Sequence, residues 1–194
     1  MLALIRPHLR FSSVCRISHT HLTPRNLNGL LLDVDCTLKD YYSSSLPDAV
    51  TTWIHKMQEA GIKLCLFSNG KAQRIEPLAK KIGLPFIAPA LKPLPFACKS
   101  AAELLDLPVD QLAMVGDQLF ADILFGRLAG LFTILVEPTT SKEPFFTHVK
   151  RPLERWLLRN FTDNFVEQRL CPEAHIDRHW ILISKNSNAK SKLH

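Results

Sequence analysis

The sequence predicts an α/β fold: a doubly wound, mainly parallel five-stranded sheet. The chain has 194 residues, of which 46% are hydrophobic and 22% are charged, a size and balance that suit one globular domain. Short apolar runs of strand length alternate along it with segments that carry helix start and stop signals. Strands that alternate with helices need crossover connections, which build a parallel sheet covered on both faces.

Five short apolar runs predict the strands of this sheet. The first, GLLLDVD from Gly29 to Asp35, ends in carboxylates, as expected of a buried strand that delivers acidic side chains to its carboxyl end. The five predicted strands cover residues 29–35, 62–67, 85–88, 112–115 and 132–136.

Proline and glycine mark the ends of the predicted helices. Pro47 opens a helix that runs to about Ala60, because proline is favoured in a first helical turn, and Gly61 supplies a stop. Gly83 ends the next helix in the same way. After the last strand the pattern changes to a loop, PTTSKEP, and then to a long helix. The predicted helices cover residues 47–60, 71–82, 96–105, 120–129 and 149–168.

The two ends of the chain differ in composition from the middle. The first 32 residues hold four arginines and no acidic residue, which also fits an organellar transit peptide. The short distance to the first strand and the lack of an evident cleavage signal favour a cytoplasmic protein instead. The last ten residues are polar and basic without periodicity, as in a flexible tail. The expected division is a basic segment at 1–28, one domain at 29–170 and a tail at 171–194.

Charge and cysteine usage limit the partners. The formal net charge of +6 favours anions, whether phosphorylated metabolites, nucleic acid or an acidic membrane surface. No apolar run reaches the roughly 18 to 20 residues that span a bilayer. The cysteines form no CxxC pair and have no zinc-site spacing, which indicates free thiols in a reducing compartment. They are Cys15, Cys36, Cys65, Cys98 and Cys171.

Polar side chains follow the predicted strands at the edge where open parallel sheets bind ligands. They are Asp33, Asp35 and Thr37 after the first strand, Ser68 and Asn69 after the second, Lys92 before the fourth, and Asp117 and Asp122 after the fourth. Carboxylates this close raise each other's proton affinity unless a cation compensates them. A set of oxygen ligands selects a hard ion such as Mg²⁺.

This set resembles the four motifs of the haloacid dehalogenase (HAD) superfamily of phosphotransferases, and implies its Rossmann-like fold. The matches are DVDCT from Asp33, Ser68 of FSNG, Lys92 of ALKP and GDQLFAD from Gly116 to Asp122. Each residue alone fits a helix cap, a turn or a solvated charge, but their joint occurrence in this order favours an active site. Cys36 departs from the glycine or asparagine that the family most often has, and we expect this small side chain to be tolerated.

The resemblance implies a role for each of these residues. Asp33 would attack phosphorus and form an aspartyl phosphate, while Asp35 acts as general acid and then as general base. Lys92 would offset charge on the phosphorylated aspartate. Thr37, Ser68 and Asn69 would bind phosphate. The implied Mg²⁺ ligands are Asp33, Asp117 and the main-chain carbonyl of Asp35, with Asp122 supporting the metal or orienting Lys92.

The motif spacing leaves no room for a cap domain. Asp33 and Ser68 are 35 positions apart, and Ser68 and Lys92 are 24 apart, intervals that the predicted helices and strands already fill. An open site suits a large or surface-presented substrate better than a small one enclosed by a lid. The chain also resembles the YqeG-like subgroup, through NGLLLDVDCTLKDY, LCLFSNG, ALKPLPFACKSA and MVGDQLFADILFGRLAG. That subgroup includes phosphatidylglycerophosphate phosphatases.

Three functions stay open at this point. The first is a lipid phosphomonoesterase that makes phosphatidylglycerol, the second a capless phosphatase of protein, nucleic-acid or soluble phosphates, and the third a non-catalytic binding protein. A lipid headgroup is the expected partner, rather than nucleic acid. The predicted helix near residues 148–160 is basic and carries apolar residues at helical spacing, so it could lie on a membrane, as could the N-terminal segment. The alternative is that both pack on the sheet.

Overall fold

Six parallel strands form one sheet in the computed structural model, which describes residues 2–139, 152–154, 156 and 157. Its order is β1-β6-β5-β2-β3-β4. The strands are β1 Leu9–Phe11, β2 Gly29–Leu32, β3 Lys63–Phe67, β4 Phe86–Ile87, β5 Leu112–Gly116 and β6 Phe132–Val136. The doubly wound parallel α/β fold is confirmed, with six strands rather than the five predicted.

Helices connect the strands and cover the sheet. They are α1 His19–Leu22, α2 Asp48–Glu59, α3 Ala72–Ile82, α4 Cys98–Leu105 and α5 Leu124–Leu128. The stops at Gly61 and Gly83 are confirmed, since both adopt the left-handed backbone that ends a helix. The helix predicted at 120–129 begins instead with a π-helical turn at Leu119–Ile123. Of the helix predicted at 149–168, residues 152–154, 156 and 157 are helical, and the rest lies outside the described residues, as does the tail.

The strand missing from the prediction is β1, at the edge of the sheet. It is only three residues long and pairs with β6, with Leu9 opposite Ile134 and Phe11 opposite Val136. Ile17, just beyond it, is fully buried, and its main-chain oxygen accepts a hydrogen bond from Trp53 Nε1 at 2.7 Å. The N-terminal segment therefore packs on the same core as α2, whereas the domain boundary at residue 28 stays a prediction.

The central strand β2 supplies both faces of the core. Leu30 and Leu32 pack in the cluster that contains residues of α2 and α3, whereas Leu31 packs in the cluster that contains residues of α4. Neighbouring residues of a strand point to opposite faces, so a strand covered on both sides is apolar at every position. This explains the uninterrupted GLLL sequence.

The direction of winding places a crevice between β2 and β5. From β2 the chain proceeds outwards to β3 and β4, and from β5 it proceeds to β6 on the other side. The carboxyl ends of β2 and β5 thus meet where the strand order reverses, the ligand site of open α/β sheets. Only α3 and β4 lie between Ser68 and Lys92, and no cap is evident. No helix among the described residues is long and apolar enough to cross a membrane.

Candidate active site

A cleft of about 260 Å³ opens at this carboxyl edge. It brings together most of the predicted site residues: Asp33, Asp35, Ser68, Asn69, Lys92 and Asp122 all line it. The other two, Thr37 and Asp117, are buried and joined to each other, since Thr37 Oγ1 donates to Asp117 Oδ1 at 3.3 Å. The phosphate-binding role of Thr37 stays a prediction, because its described hydrogen bond points to a carboxylate.

Three buried carboxylates converge at the base of the site. Asp33, Asp117 and Asp122 each have an oxygen within 4.8 Å of the others. Burial raises the pKa of Asp33 to about 6, and the charges of Asp122 and Asp35 act in the same direction, against Lys92. Burial also raises the pKa of Asp122, with Asp117 adding to the effect. The arrangement therefore favours a bound cation, and its all-oxygen donor set fits a hard divalent ion.

Lys92 is the buried counter-charge of this cluster. Its Nζ donates to Asp33 Oδ1 at 2.6 Å, to Asp122 Oδ1 at 2.7 Å and to the Phe67 carbonyl at 2.8 Å, so all three ammonium protons are used. Burial alone would lower the pKa of Lys92, but the charges of Asp122 and Asp33 outweigh it and raise that pKa. Three carboxylates outnumber this one ammonium by two, the charge of a divalent cation.

Asn69 holds the backbone of Lys92 in place. Its Nδ2 donates to the Lys92 carbonyl at 2.8 Å, and its Oδ1 accepts from the Lys92 amide at 2.7 Å. The loop after β4 is thereby fixed to the end of β3, although 23 residues separate the two positions. We expected Asn69 to bind phosphate. Its described bonds position Lys92, and the phosphate role stays a prediction.

The π-helical turn at Leu119–Ile123 places Asp122 in the site. Asp122 Oδ2 accepts from the Gln118 amide at 3.0 Å, and its carboxyl group occupies the space that a Cβ on Gly116 would need. A glycine is thus required at the end of β5 for this close approach. Glu154 Oε1 accepts from the Phe120 amide at 3.2 Å, which satisfies a free donor at the start of the turn.

Asp35 is bound by two cationic side chains that the sequence analysis did not identify. Arg74 donates through Nη1 to Asp35 Oδ1 at 2.8 Å and through Nη2 to Oδ2, and Lys39 Nζ donates to Oδ1 at 3.0 Å. Burial would raise the pKa of Asp35, but Arg74 and then Lys39 outweigh it and lower that pKa. The sequence signal that could have identified Arg74 and Lys39 was their position, because both follow strands that end at the carboxyl edge of the sheet. Sequence spacing does not show which carboxylate they reach.

The backbone conformation and burial of Cys36 explain why small residues suit the position after Asp35. Its φ of 63° lies in the left-handed region, which glycine and asparagine adopt at least cost. The side chain is buried, its amide donates to the Lys39 carbonyl at 2.8 Å and its carbonyl accepts from the Thr139 amide at 2.9 Å. A cysteine therefore fits the space but carries a backbone strain of about 1 to 2 kcal/mol.

Comparison with known proteins gives concordant matches. Residues 89–144 match the family model described as HAD-hydrolase-like. The "Probable phosphatase YqeG" of Bacillus subtilis is 34% identical over 143 residues, covering 71% of this chain and 83% of the relative. The chloroplastic phosphatidylglycerophosphate phosphatase 1 of Chlamydomonas reinhardtii is 29% identical over 183 residues, covering 89% of this chain and 66% of the relative.

Among solved structures, the fold is similar to that of the cobalt-bound deoxy-D-mannose-octulosonate 8-phosphate phosphatase of Haemophilus influenzae. The TM-score is 0.50 at 18% identity, with 74% of this chain and 80% of the other covered. At this identity the likeness concerns the fold alone.

Proposed function

The chain belongs to the HAD phosphatases, in the YqeG-like group, and on that premise we propose that it is a Mg²⁺-dependent phosphomonoester hydrolase that converts phosphatidylglycerophosphate to phosphatidylglycerol. The observation that carries the catalytic part is the buried cluster of Asp33, Asp117 and Asp122 around Lys92, at the base of an open cleft. Such a cluster combines a nucleophile, a fixed positive charge and a place for a divalent cation.

Asp33 and Asp35 divide the chemistry between them. A carboxylate oxygen of Asp33 bonds to phosphorus as the ester oxygen leaves. Asp35 takes up a proton from solvent once Arg74 no longer pairs with its carboxylate, and gives that proton to the leaving oxygen. Asp35 then takes a proton from the water that attacks the aspartyl phosphate, which frees Asp33 and inorganic phosphate. Lys92, held against Asp33 at 2.6 Å, stabilises the negative charge in both steps.

The carboxylate cluster fits the metal that this chemistry needs. Asp33, Asp117 and the main-chain carbonyl of Asp35 would hold Mg²⁺, and Asp122 would orient Lys92 or support the ion. When bound, Mg²⁺ would polarise the phosphoryl group and neutralise part of its charge. Ser68, whose Oγ accepts from the Gly70 amide at 3.0 Å, lines the cleft where a phosphoryl oxygen would lie.

Arg74 has to respond to the substrate. Its guanidinium covers both oxygens of Asp35, yet its side chain is 41% exposed and lies 5.5 Å from the ring centre of Tyr41. A leaving oxygen can reach Asp35 only after Arg74 has moved. A phosphate group, which matches the guanidinium fork as well as a carboxylate does, can draw it away. Arg74 would then bind the substrate anion at the mouth of the cleft.

Two features support a lipid as the substrate. The matched relatives from Chlamydomonas reinhardtii and Arabidopsis thaliana are named as phosphatidylglycerophosphate phosphatases. The cleft is open and no cap is evident over it, so it can take a phosphate that projects from a larger surface. The proposal includes peripheral contact with a membrane from the cytoplasmic side. Of the apolar stripe on the predicted C-terminal helix, Leu157 packs in the core while Leu153 and Trp156 are exposed.

The substrate is tested by assaying phosphatidylglycerophosphate in detergent micelles, a phosphopeptide and a nucleotide in parallel with the same enzyme. We expect the lipid to have a kcat/KM about tenfold or more above the others, equivalent to about 1.4 kcal/mol of transition-state binding. A phosphopeptide or a nucleotide hydrolysed faster than the lipid would replace the lipid assignment and leave the phosphatase mechanism intact.

Replacement of Asp35 by asparagine is expected to trap the covalent intermediate. With p-nitrophenyl phosphate, whose leaving group needs no proton, Asp33 can still be phosphorylated, but no base activates the water. Intact-protein mass spectrometry after acid quenching should show one added phosphoryl group on Asp35→Asn and none on the Asp33→Asn/Asp35→Asn double variant. Wild-type turnover by Asp35→Asn would contradict the role given to Asp35.

Metal binding is expected to stabilise the fold independently of catalysis. Mg²⁺ at about 100 times its dissociation constant would add about 2.7 kcal/mol, a rise in Tm of about 5 to 10 °C for a chain of this size. Asp117→Asn should lose most of this rise, whereas Asp110→Asn, at an exposed site near the start of β5, should keep it. Thermal unfolding with chelator and with millimolar Mg²⁺ measures the effect, and an unchanged wild-type Tm would argue against the site.

A further inference from the structure

Exposed apolar side chains are concentrated beside the cleft. Ten large hydrophobic side chains are exposed among the described residues, and five of them lie on two loops, at 41–42 and 91–96. We call these two loops the rim. Its exposed members are Tyr41 at 36%, Tyr42 at 75%, Leu91 at 56%, Leu94 at 48% and Phe96 at 74%. Single exposed hydrophobic residues are ordinary, but such a concentration marks an interaction surface.

The rim lies beside the mouth of the active site. One loop follows β2 and the other follows β4, and β3 lies between these strands in the sheet. Tyr41 lines the cleft, and so does Lys92, the residue next to Leu91. The second loop is also fixed in place, because Asn69 binds the Lys92 backbone. A surface that contacts the rim therefore lies next to the cleft that holds the catalytic groups.

Folding alone does not account for the leucine at position 91 of the rim. Leu91 has a φ of 58°, a left-handed conformation that glycine or asparagine would adopt with less strain. The residue is 56% exposed, so burial of the leucine offsets only part of that cost. A bulky apolar residue that is both strained and exposed points to a functional contact.

We infer that the rim inserts into the interfacial layer of an anionic phospholipid bilayer and so presents the cleft to a phosphate at headgroup level. The inference rests on the proposed lipid substrate, and it gives the membrane contact to the rim itself. Tyrosine suits this layer because its ring is apolar and its hydroxyl remains hydrated. Interfacial elements bury apolar side chains at the boundary between the headgroups and the acyl chains.

Charge adds to the contact but does not dominate it. Lys71 and Lys99 are exposed at the same edge and the whole chain carries +6, which favours anionic lipid. Asp40 and Asp48 are exposed beside the first loop and oppose the attraction. The apolar side chains should therefore supply most of the binding, and binding should persist in part at salt concentrations that screen exposed charges.

The test compares a rim variant with a matched control in the full-length protein. The rim variant carries Tyr42→Ser, Leu94→Ser and Phe96→Ser, none of which lines the cleft. The control carries Leu104→Ser and Leu128→Ser, two exposed leucines at the ends of α4 and α5, helices that lead back to the amino edge of the sheet. Each protein is assayed for flotation with phosphatidylcholine and phosphatidylglycerol vesicles. Each is also assayed on p-nitrophenyl phosphate, and on phosphatidylglycerophosphate in vesicles and in detergent micelles.

We expect vesicle binding and vesicle hydrolysis by the rim variant to fall by about tenfold or more. The variant no longer has the aromatic and leucine side chains that would be buried in the bilayer. Its turnover of p-nitrophenyl phosphate should stay within about twofold of wild type, and the control should match wild type throughout. A rim variant that binds and hydrolyses vesicles like wild type would overturn the inference, as would wild-type protein that acts on the lipid in micelles without binding vesicles. Failure of wild-type protein on the lipid in every form would instead refute the proposed substrate, and with it the inference that rests on that substrate.

Discussion

Asp33→Asn is expected to abolish phosphate release while the protein stays folded. The amide keeps the shape of the side chain but cannot act as a nucleophile, and loss of one catalytic group costs about two to four orders of magnitude or more in rate. The fold should tolerate the change, because Asp33 lies within 4.8 Å of two other buried carboxylates and burial already raises its pKa to about 6. Lys92 retains Asp122 and the Phe67 carbonyl as partners.

Activity on p-nitrophenyl phosphate and Tm by circular dichroism measure the two effects separately. Asp110→Asn, which makes the same substitution at an exposed position outside the cleft, should keep both wild-type activity and wild-type Tm. Substantial activity of purified Asp33→Asn would rule out the aspartyl-phosphate mechanism. A large fall in its Tm would show that the carboxylate also has a structural role.

Lys92→Met should impair stability and activity together. The substitution removes the ammonium that compensates Asp33 and Asp122, and breaking a buried ion pair from one side typically costs about 3 to 5 kcal/mol. That cost corresponds to a fall in Tm of about 6 to 20 °C for a chain of this size. The rate should fall by about two to three orders of magnitude, because a fixed charge that stabilises the transition state is lost.

A double-mutant cycle separates the electrostatic cause from a simple packing defect. If uncompensated charge is the cause, the double variant Lys92→Met/Asp33→Asn should lose less unfolding free energy than the two single variants lose together. The second substitution removes the carboxylate that the first leaves without a counter-charge. Lys63→Met is the matched control, since Lys63 is a half-exposed lysine of β3 that binds the Leu105 and Asp106 carbonyls. Additive losses in the double variant would contradict the electrostatic account.

The sequence alone was enough to predict five of the six strands and what the carboxyl ends of those strands carry. Continuous apolar runs and glycine stops are local signals, and in a parallel sheet all the carboxyl ends lie at one edge. Asp33, Ser68 and Asp122 could therefore be placed in one site without coordinates. The capless arrangement likewise followed from spacing, since the intervals between the motifs hold only the helices and strands that the fold requires.

Only the tertiary structure decided which partner each polar group meets. Arg74 and Lys39 bind Asp35, and Asn69 binds the backbone of Lys92. These contacts depend on the conformation of loops, which periodic patterns in the sequence do not predict. The strand β1 was missed because three residues make no pattern, and its existence depends on pairing with β6. Secondary structure is predicted by signals within a few neighbouring residues. The ion pairs, the extra strand and the apolar rim depend instead on contacts between segments that are far apart in the chain, and only the packing of the fold determines those contacts.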